Sequence, residues 1–248
     1  MKTFLTFATG VRQNFSPSTL SPRSRGESRR EGLQKSVLLA FAAILALALA
    51  LPGCVTIPTT RYNSMETFDG VPPGGLPPAW LAGVTGGGQA KWAVVADPAA
   101  RSLPNVLQQS GEAKFCWCVR TNLLLRDGFV AVMFKPLSGK EDQAGGLIWR
   151  WQDGDNYYVA RANALENNVA IYHTVHGVRT EKGRASFEVA AGRWHALRVD
   201  FHGRHFIVTF DGRPALTWDD DTFKDAGAVG VWTKADSVTQ FDDFCWGK

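Results

Sequence analysis

The chain has 248 residues, with 27 Lys/Arg against 23 Asp/Glu, nine Trp and 25 Gly. That length allows one or two domains with a sizeable core, and the aromatic, glycine-rich balance tilts toward turn-rich β structure. Residues 1–53 hold seven of the basic and two of the acidic residues, so residues 54–248 carry 20 and 21. The basic pI therefore belongs to the first segment, and the remainder gives no reason to invoke nucleic acid, which needs a concentrated positive field.

Residues 37–51 form an apolar run (VLLAFAAILALALAL) preceded by Arg29, Arg30 and Lys35 and followed by Pro52, Gly53 and Cys54. A positive end, a short apolar segment and small residues before a cut are the anatomy of a secretory signal. The run is short for a transmembrane helix, which wants roughly 20 apolar residues. Leu51-Pro52-Gly53-Cys54 resembles the bacterial lipobox, which implies lipidation of Cys54. The reading is a leader and lipoprotein signal peptide over 1–53, a lipidated Cys54 with a tether over 54–64, and one domain over 65–248. The chain is then exported and held in the bacterial cell envelope, touching the membrane through its lipid alone. Plain cleavage near Ala48-Leu49-Ala50 is the competing reading.

Within the domain, residues 71–78 (VPPGGLPP) are a loop, because four Pro and two Gly fit neither a helix nor a central strand. Short β-branched and aromatic runs follow at 91–96, 114–121, 129–135, 146–152, 156–163, 168–175, 194–201, 205–210, 228–232 and 239–246. Turn-formers such as Asp153-Gly154, Glu166-Asn167 and Asp211-Gly212 separate them. No long stretch has a 3.6-residue period, so the fold class is all-β, a sandwich of two antiparallel sheets. Alternation puts Leu147, Trp149 and Trp151 on one face, and makes Phe206, Val208 and Phe210 core. Cys116 and Cys118 share one strand face and bridge each other poorly; one bridge from Cys245 to this pair competes with three buried thiols.

Residues 142–169 (DQAGGLIWRWQDGDNYYVARANALENNV) and 229–244 (VGVWTKADSVTQFDDF), with the strand at Trp194-His195 and the Phe210-Asp211-Gly212 turn, resemble the three-keto-disaccharide hydrolase family. The resemblance spans about residues 65–248. It implies a concanavalin-like, laminin-G-like jelly roll, and a reaction on 3-keto-glycosides. A ketone at C3 acidifies the C2 proton, the aglycone leaves C1 by elimination, and water adds. This needs a base near C2 and a donor on the ketone oxygen. Family 16 glycoside hydrolases share the fold but carry their carboxylates on an E-x-D-x-E strand. That motif is absent here, so ordinary two-carboxylate hydrolysis is rejected.

The stretch that carries the resemblance is also dense in groups that hold sugars. Gln143, Arg150, Asn156, Tyr158, Arg161 and Asn163 are the candidate substrate contacts, to be weighed against a structural ion-pair network, for example Arg150 or Arg161 with Asp155 or Glu166. Glu166, at the ALENN turn, is the preferred general base, or else an exposed turn carboxylate. His173 is a second candidate base. In WTKAD, Trp232 offers a stacking face, Lys234 polarisation of a ketone oxygen and Asp236 a substrate contact; a Trp at the sandwich rim beside a Lys–Asp surface pair is the alternative. Folds of this class often keep a structural calcium near the last strand, which makes Asp242 and Asp243 the candidate ligands. No other cofactor is implied. Two functions stay open: a lipid-tethered enzyme acting on 3-keto-glycosides, and a non-catalytic carbohydrate-binding or adhesion lipoprotein.

Overall fold

The computed structural model describes residues 64–248. The leader, Cys54 and the tether up to residue 63 lie outside the described residues. Among those described, no helix is long and apolar enough to cross a membrane.

Fifteen strands follow one another: β1 (Ser64–Glu66), β2 (Trp80–Gln89), β3 (Trp92–Ala96), β4 (Asn105–Gln109), β5 (Glu112–Leu125), β6 (Gly128–Ser138), β7 (Ala144–Asp153), β8 (Asn156–Asn163), β9 (Asn168–Val175), β10 (Val178–Ser186), β11 (His195–His202), β12 (His205–Phe210), β13 (Arg213–Asp219), β14 (Gly227–Ala235) and β15 (Val238–Gly247). They form two antiparallel sheets. The first runs β13-β12-β11-β6-β15-β4-β3, with β1 beside β15; the second runs β10-β9-β8-β7-β14-β5-β2. This is the concanavalin-like jelly roll, and the alternation of apolar and polar residues explains it: each strand gives one face to the space between the sheets. Phe134, Leu147, Trp149, Tyr158, Val199, Phe206, Phe210, Val231 and Phe241 are fully buried there.

Five strands escape a reading by apolar alternation, namely β1, β2, β4, β10 and β13. β2 contains four glycines, β4 ends in two glutamines, and β10 (VRTEKGRAS) is mostly polar with no apolar alternation. β13 carries Pro214, which an edge strand tolerates. Both β10 and β13 are sheet edges, where one row of backbone groups is unpaired and polar side chains are favoured.

Two expectations are corrected. Trp151 does not share a face with Leu147 and Trp149. Arg150 takes a positive φ of 48°, and the β7–β8 register shifts between Trp149 and Asp153, so the bulge turns Trp151 to the outer face of the second sheet. The disulfide alternative also fails, because all three cysteines are free. Cys116 and Cys118 point into the core from β5, whereas Cys245 lies with Phe129 and Ala131 in a separate cluster on the outer side of the first sheet.

The second sheet is bent so far that its β2 edge meets the β7–β8 hairpin above its outer face. Thr85 on β2 pairs in register with Phe115, at the same end as Lys234. Tyr157 sits at the opposite end of β8. Yet the Thr85 hydroxyl lies 2.9 Å from the Tyr157 hydroxyl and also donates to the Gly154 carbonyl. β2 and β8 are four strand spacings apart, about 19 Å if the sheet were flat. The twist of the sheet and the bulge at Arg150 close that gap. Under this clasp lies a second apolar cluster that includes Phe115, Trp117, Ile148, Tyr157, Tyr172 and Trp232.

Gly83 is the tightest point of β2 against that cluster, since a Cβ there would overlap the Trp117 ring. Gly83→Ala is expected to lower the unfolding free energy by about 1–3 kcal/mol through overpacking. Urea denaturation of the variant checks this, and an unchanged midpoint would contradict the described packing.

Candidate functional site

The outer face of the second sheet gathers the chemistry. Alternation along β8 and β9 sends Tyr157, Val159, Arg161 and Asn163, then Asn168, Ala170, Tyr172 and Thr174, to this side, while Tyr158, Ala160, Val169 and Ile171 enter the core. Arg161 is only 2% exposed. Its guanidinium donates to Asn168 Oδ1 (2.6 Å), Glu166 Oε2 (2.7 Å) and the Tyr172 hydroxyl (3.0 Å). Glu166 Oε2 also accepts from Asn168 Nδ2 (3.0 Å) and Arg184 Nη1 (3.1 Å).

A second chain of bonds runs beside the first. Lys234 Nζ donates to Asp142 Oδ2 at 2.7 Å, and Asn163 Nδ2 to Asp142 Oδ1 at 2.6 Å. Asn163 Oδ1 then accepts from the backbone of Leu165 and Glu166, which fixes the ALENN turn. At the Lys234 end lies a hollow of about 280 Å³ lined by Gly87, Gly88, Glu112, Lys114, Glu141 and Lys234, among others.

Arg179, on the edge strand β10, reaches across the same face. Its guanidinium sits 4.4 Å from the Phe115 ring, 4.3 Å from Tyr172 and 5.3 Å from Trp232. Several buried donors here lack a protein acceptor: Arg161 Nε, Arg179 Nη1, and the indole nitrogens of Trp117 and Trp151. Trp232 Nε1 and Thr174 Oγ1 face the Tyr157 hydroxyl without completing a hydrogen bond. Core indoles of Trp80, Trp92 and Trp149 also lack an acceptor, so what sets this face apart is its two guanidinium groups with unmatched N–H donors.

The sequence-predicted residues divide. Arg161, Asn163, Glu166, Trp232 and Lys234 share the outer face. Trp232 is its floor, stacked on Phe115 at 5.7 Å and fully buried. Tyr158 faces the core instead, stacked on Trp149, with its hydroxyl donating to Asp220 Oδ1. His173 shares that inner side, edge-on to Trp218 and 3.9 Å from Asp220. Glu166 and Lys234 are therefore separated from His173 by the sheet itself.

Arg150 is also directed away from the outer face. Its three nitrogens donate to the carbonyls of Arg126, Phe223 and Gly203, so it holds three loops together. It lines a different hollow of about 260 Å³ with Arg126, Arg204 and Lys224. Three residues are turn braces. Gln143 Nε2 donates to Gly139 O. Asn156 bonds Asp153 and the His176 amide. The Asp236 carboxylate accepts the amides of Lys140, Glu141 and Asp142. Neither the Arg150–Asp155 nor the Arg150–Glu166 alternative forms; the ion pair that does form is Arg161–Glu166, with a further long contact from Arg150 to Asp127 at 3.5 Å.

The calcium expectation does not fit. Asp242 is fully buried, and its carboxylate already accepts from Ser102 N, Ser102 Oγ and Asp243 N, each at 2.8 Å. Asp243 approaches Arg101 at 3.9 Å. Among the described residues, no three His, Cys, Asp or Glu side chains stand close enough to hold a metal, and a hard cation needs several oxygens.

Reading alternate residues on β5 as aromatic (Phe115, Trp117) against cysteine (Cys116, Cys118) would have exposed part of this face in advance. Arg179, Tyr172 and Thr85 were missed. Arg179 lies in a strand with no apolar period, and the Thr85 contact depends on sheet curvature that local sequence does not encode.

The electrostatics of Glu166 follow from its neighbours. Burial alone would raise its pKa, but hydrogen bonds from Asn168 and Arg161 and the charges of Arg161 and Arg184 overcome this and bring it down to about 2. Such a carboxylate is a poor base at neutral pH. A pKa depressed in the folded state stabilises the fold above the ordinary carboxylate range and loses that contribution as pH falls through the folded value. The Tm difference between wild type and Glu166→Gln is therefore expected to be largest above about pH 5 and to shrink toward pH 2. Thermal melts across that range check it; a difference that does not change with pH would contradict the ion-pair geometry.

No protein-family model matches the chain, so the family resemblance of residues 142–169 and 229–244 gains no support from that side. No curated protein matches it either. Solved structures do share its fold. A carbohydrate-binding module, CBM66, from Bacillus subtilis aligns with a TM-score of 0.57 at 16% identity, covering 68% of this chain and 96% of that one. A Bacillus licheniformis beta-glucanase aligns at 0.53 and 12% identity, covering 77% and 99%. A GH16 protein of a Bacteroides ovatus mixed linkage glucan PUL, solved with a product, aligns at 0.52 and 8% identity, covering 75% and 100%. At these identities the likeness establishes the jelly roll and leaves the chemistry to the residues.

Proposed function

We propose that this domain binds a glycan on the outer face of its second sheet, as a non-catalytic carbohydrate-binding module tethered to the bacterial envelope through a lipid on Cys54. The observation that carries the reading is the set of buried, unpartnered donors on Arg161, Arg179, Trp117 and Trp151, grouped with aromatic rings on one curved face. Sugars present many hydroxyl acceptors, and fixed donors without a protein acceptor match them. Arg161 is held rigidly by three partners, so little side-chain entropy remains to be lost on binding. Two proteins with this fold, a carbohydrate-binding module and a beta-glucanase, support a carbohydrate role.

The family resemblance adds a specific reaction, elimination on a 3-keto-glycoside, in which Glu166 or His173 would take the C2 proton and Lys234 would polarise the ketone. The geometry favours binding over that reaction. Glu166 is engaged by three donors and is only weakly basic, and His173 lies on the other side of the sheet.

The test is titration of the full chain with a panel of glycans, 3-keto-glycosides and their unoxidised parents, following tryptophan fluorescence and aglycone release together. Saturable binding without release is expected, and Arg161→Met should weaken it at least about tenfold. Release from the keto forms alone would establish the hydrolase instead. Absence of binding across the panel would remove the carbohydrate reading.

A further inference from the structure

The charges on the outer face do not balance within the protein. Arg161 pairs with Glu166, Arg184 with Glu166 and Glu181, and Lys234 with Asp142. These pairs use every carboxylate named on the face. Arg179 has none: among the described residues no Asp or Glu comes within ion-pairing distance of it, and its guanidinium makes no hydrogen bond. It is half-buried nonetheless, lying against three aromatic rings with Nη1 shielded from solvent.

A guanidinium removed from water normally finds an anion or a set of carbonyls, because its lost hydration must be replaced. Arg150 on this same sheet shows the ordinary solution, three carbonyl acceptors. Contacts with ring faces offset part of the cost for Arg179 but supply no acceptor for its N–H groups. Burial lowers its pKa, in keeping with a cation short of counter-charge. The neighbouring Arg161 Nε is a second donor without an acceptor in the same cluster.

We infer that the glycan taken by this face is acidic, a uronate-bearing oligosaccharide whose carboxylate docks on Arg179. The inference rests on the glycan-binding reading above and deepens it. A planar carboxylate accepts two parallel N–H bonds from a guanidinium, a geometry that a sugar hydroxyl or a lysine ammonium does not reproduce.

The experiment is calorimetric titration of the full chain with an oligogalacturonate and with the same oligosaccharide after its carboxyl groups have been reduced to the neutral sugar. The acidic form is expected to bind at least about tenfold more tightly, and this advantage should decline as salt is added. In Arg179→Gln the two ligands should bind within about twofold of each other, whereas Arg179→Lys should retain part of the preference. The wild-type comparison alone decides the matter if the variants fold poorly. Equal binding of both ligands overturns the acidic preference and leaves glycan binding intact. Failure of both to bind overturns the glycan reading as well. A Tm rise with sodium sulfate alone equal to that with the oligogalacturonate would reduce the site to a simple anion site and overturn the saccharide assignment.

Discussion

The contact of Thr85 with Tyr157 and Gly154 is the constraint on which the rest of the structure turns. An ordinary sandwich has one buried layer between its sheets and a wetted outer face on each. Here the twist of one sheet brings its β2 edge over to the β7–β8 hairpin on its own outside, and the residues beneath become a second interior. That interior is unlike the first. The layer between the sheets is filled by aliphatic and aromatic side chains in mutual contact, with Tyr158 handing its hydroxyl to Asp220. The layer under the clasp mixes rings with two arginines, and its polar groups are only partly matched.

The partial matching is selective. The carboxylates Asp142 and Glu166 each accept from two or more side-chain donors, and the turn that carries Glu166 is pinned by Asn163. These shared carboxylates tie the face together and make it rigid. The donors left without an acceptor on this face include Arg161 Nε, Arg179 Nη1 and the indole nitrogens of Trp117 and Trp151. A face whose acceptors are consumed and whose donors are left over suits a ligand rich in oxygen. It is poorly suited to taking a proton, since its carboxylates are engaged by cations and its histidine faces the core. Binding thus accounts for more of the arrangement than acid–base chemistry does.

Much of this fold was legible in the amino-acid sequence, and the exceptions have physical reasons. Strands such as β11 and β12 announce themselves because each buries one face, as with Phe206, Val208 and Phe210. β10 and β13 bury little and are edges, so their polarity hides them. Arg150 illustrates the ambiguity of a charge in mid-strand. Sequence alone offers a sugar contact or an ion pair, and the molecule uses it to bind three loop carbonyls at a bulge. Tyr158 was read as a contact because it lies among polar neighbours, yet its alternation with Tyr157 sends it inward. Arg161, Asn163 and Glu166 lie close in sequence and meet at one turn, so local reasoning found them together. Arg179 joins Phe115 only through curvature summed over a whole sheet, which no local pattern carries.

The central claim is that ligand meets the protein under and beside the clasp, and the tryptophans report on it directly. Trp117, Trp151 and Trp232 belong to the outer-face cluster, whereas Trp80, Trp92 and Trp149 belong to the core between the sheets. Titration of 15N-labelled protein with a bound glycan, following the indole N–H resonances, should move the first three and leave the second three in place. Shifts confined to the core or rim tryptophans, with Trp117, Trp151 and Trp232 unmoved, would contradict it.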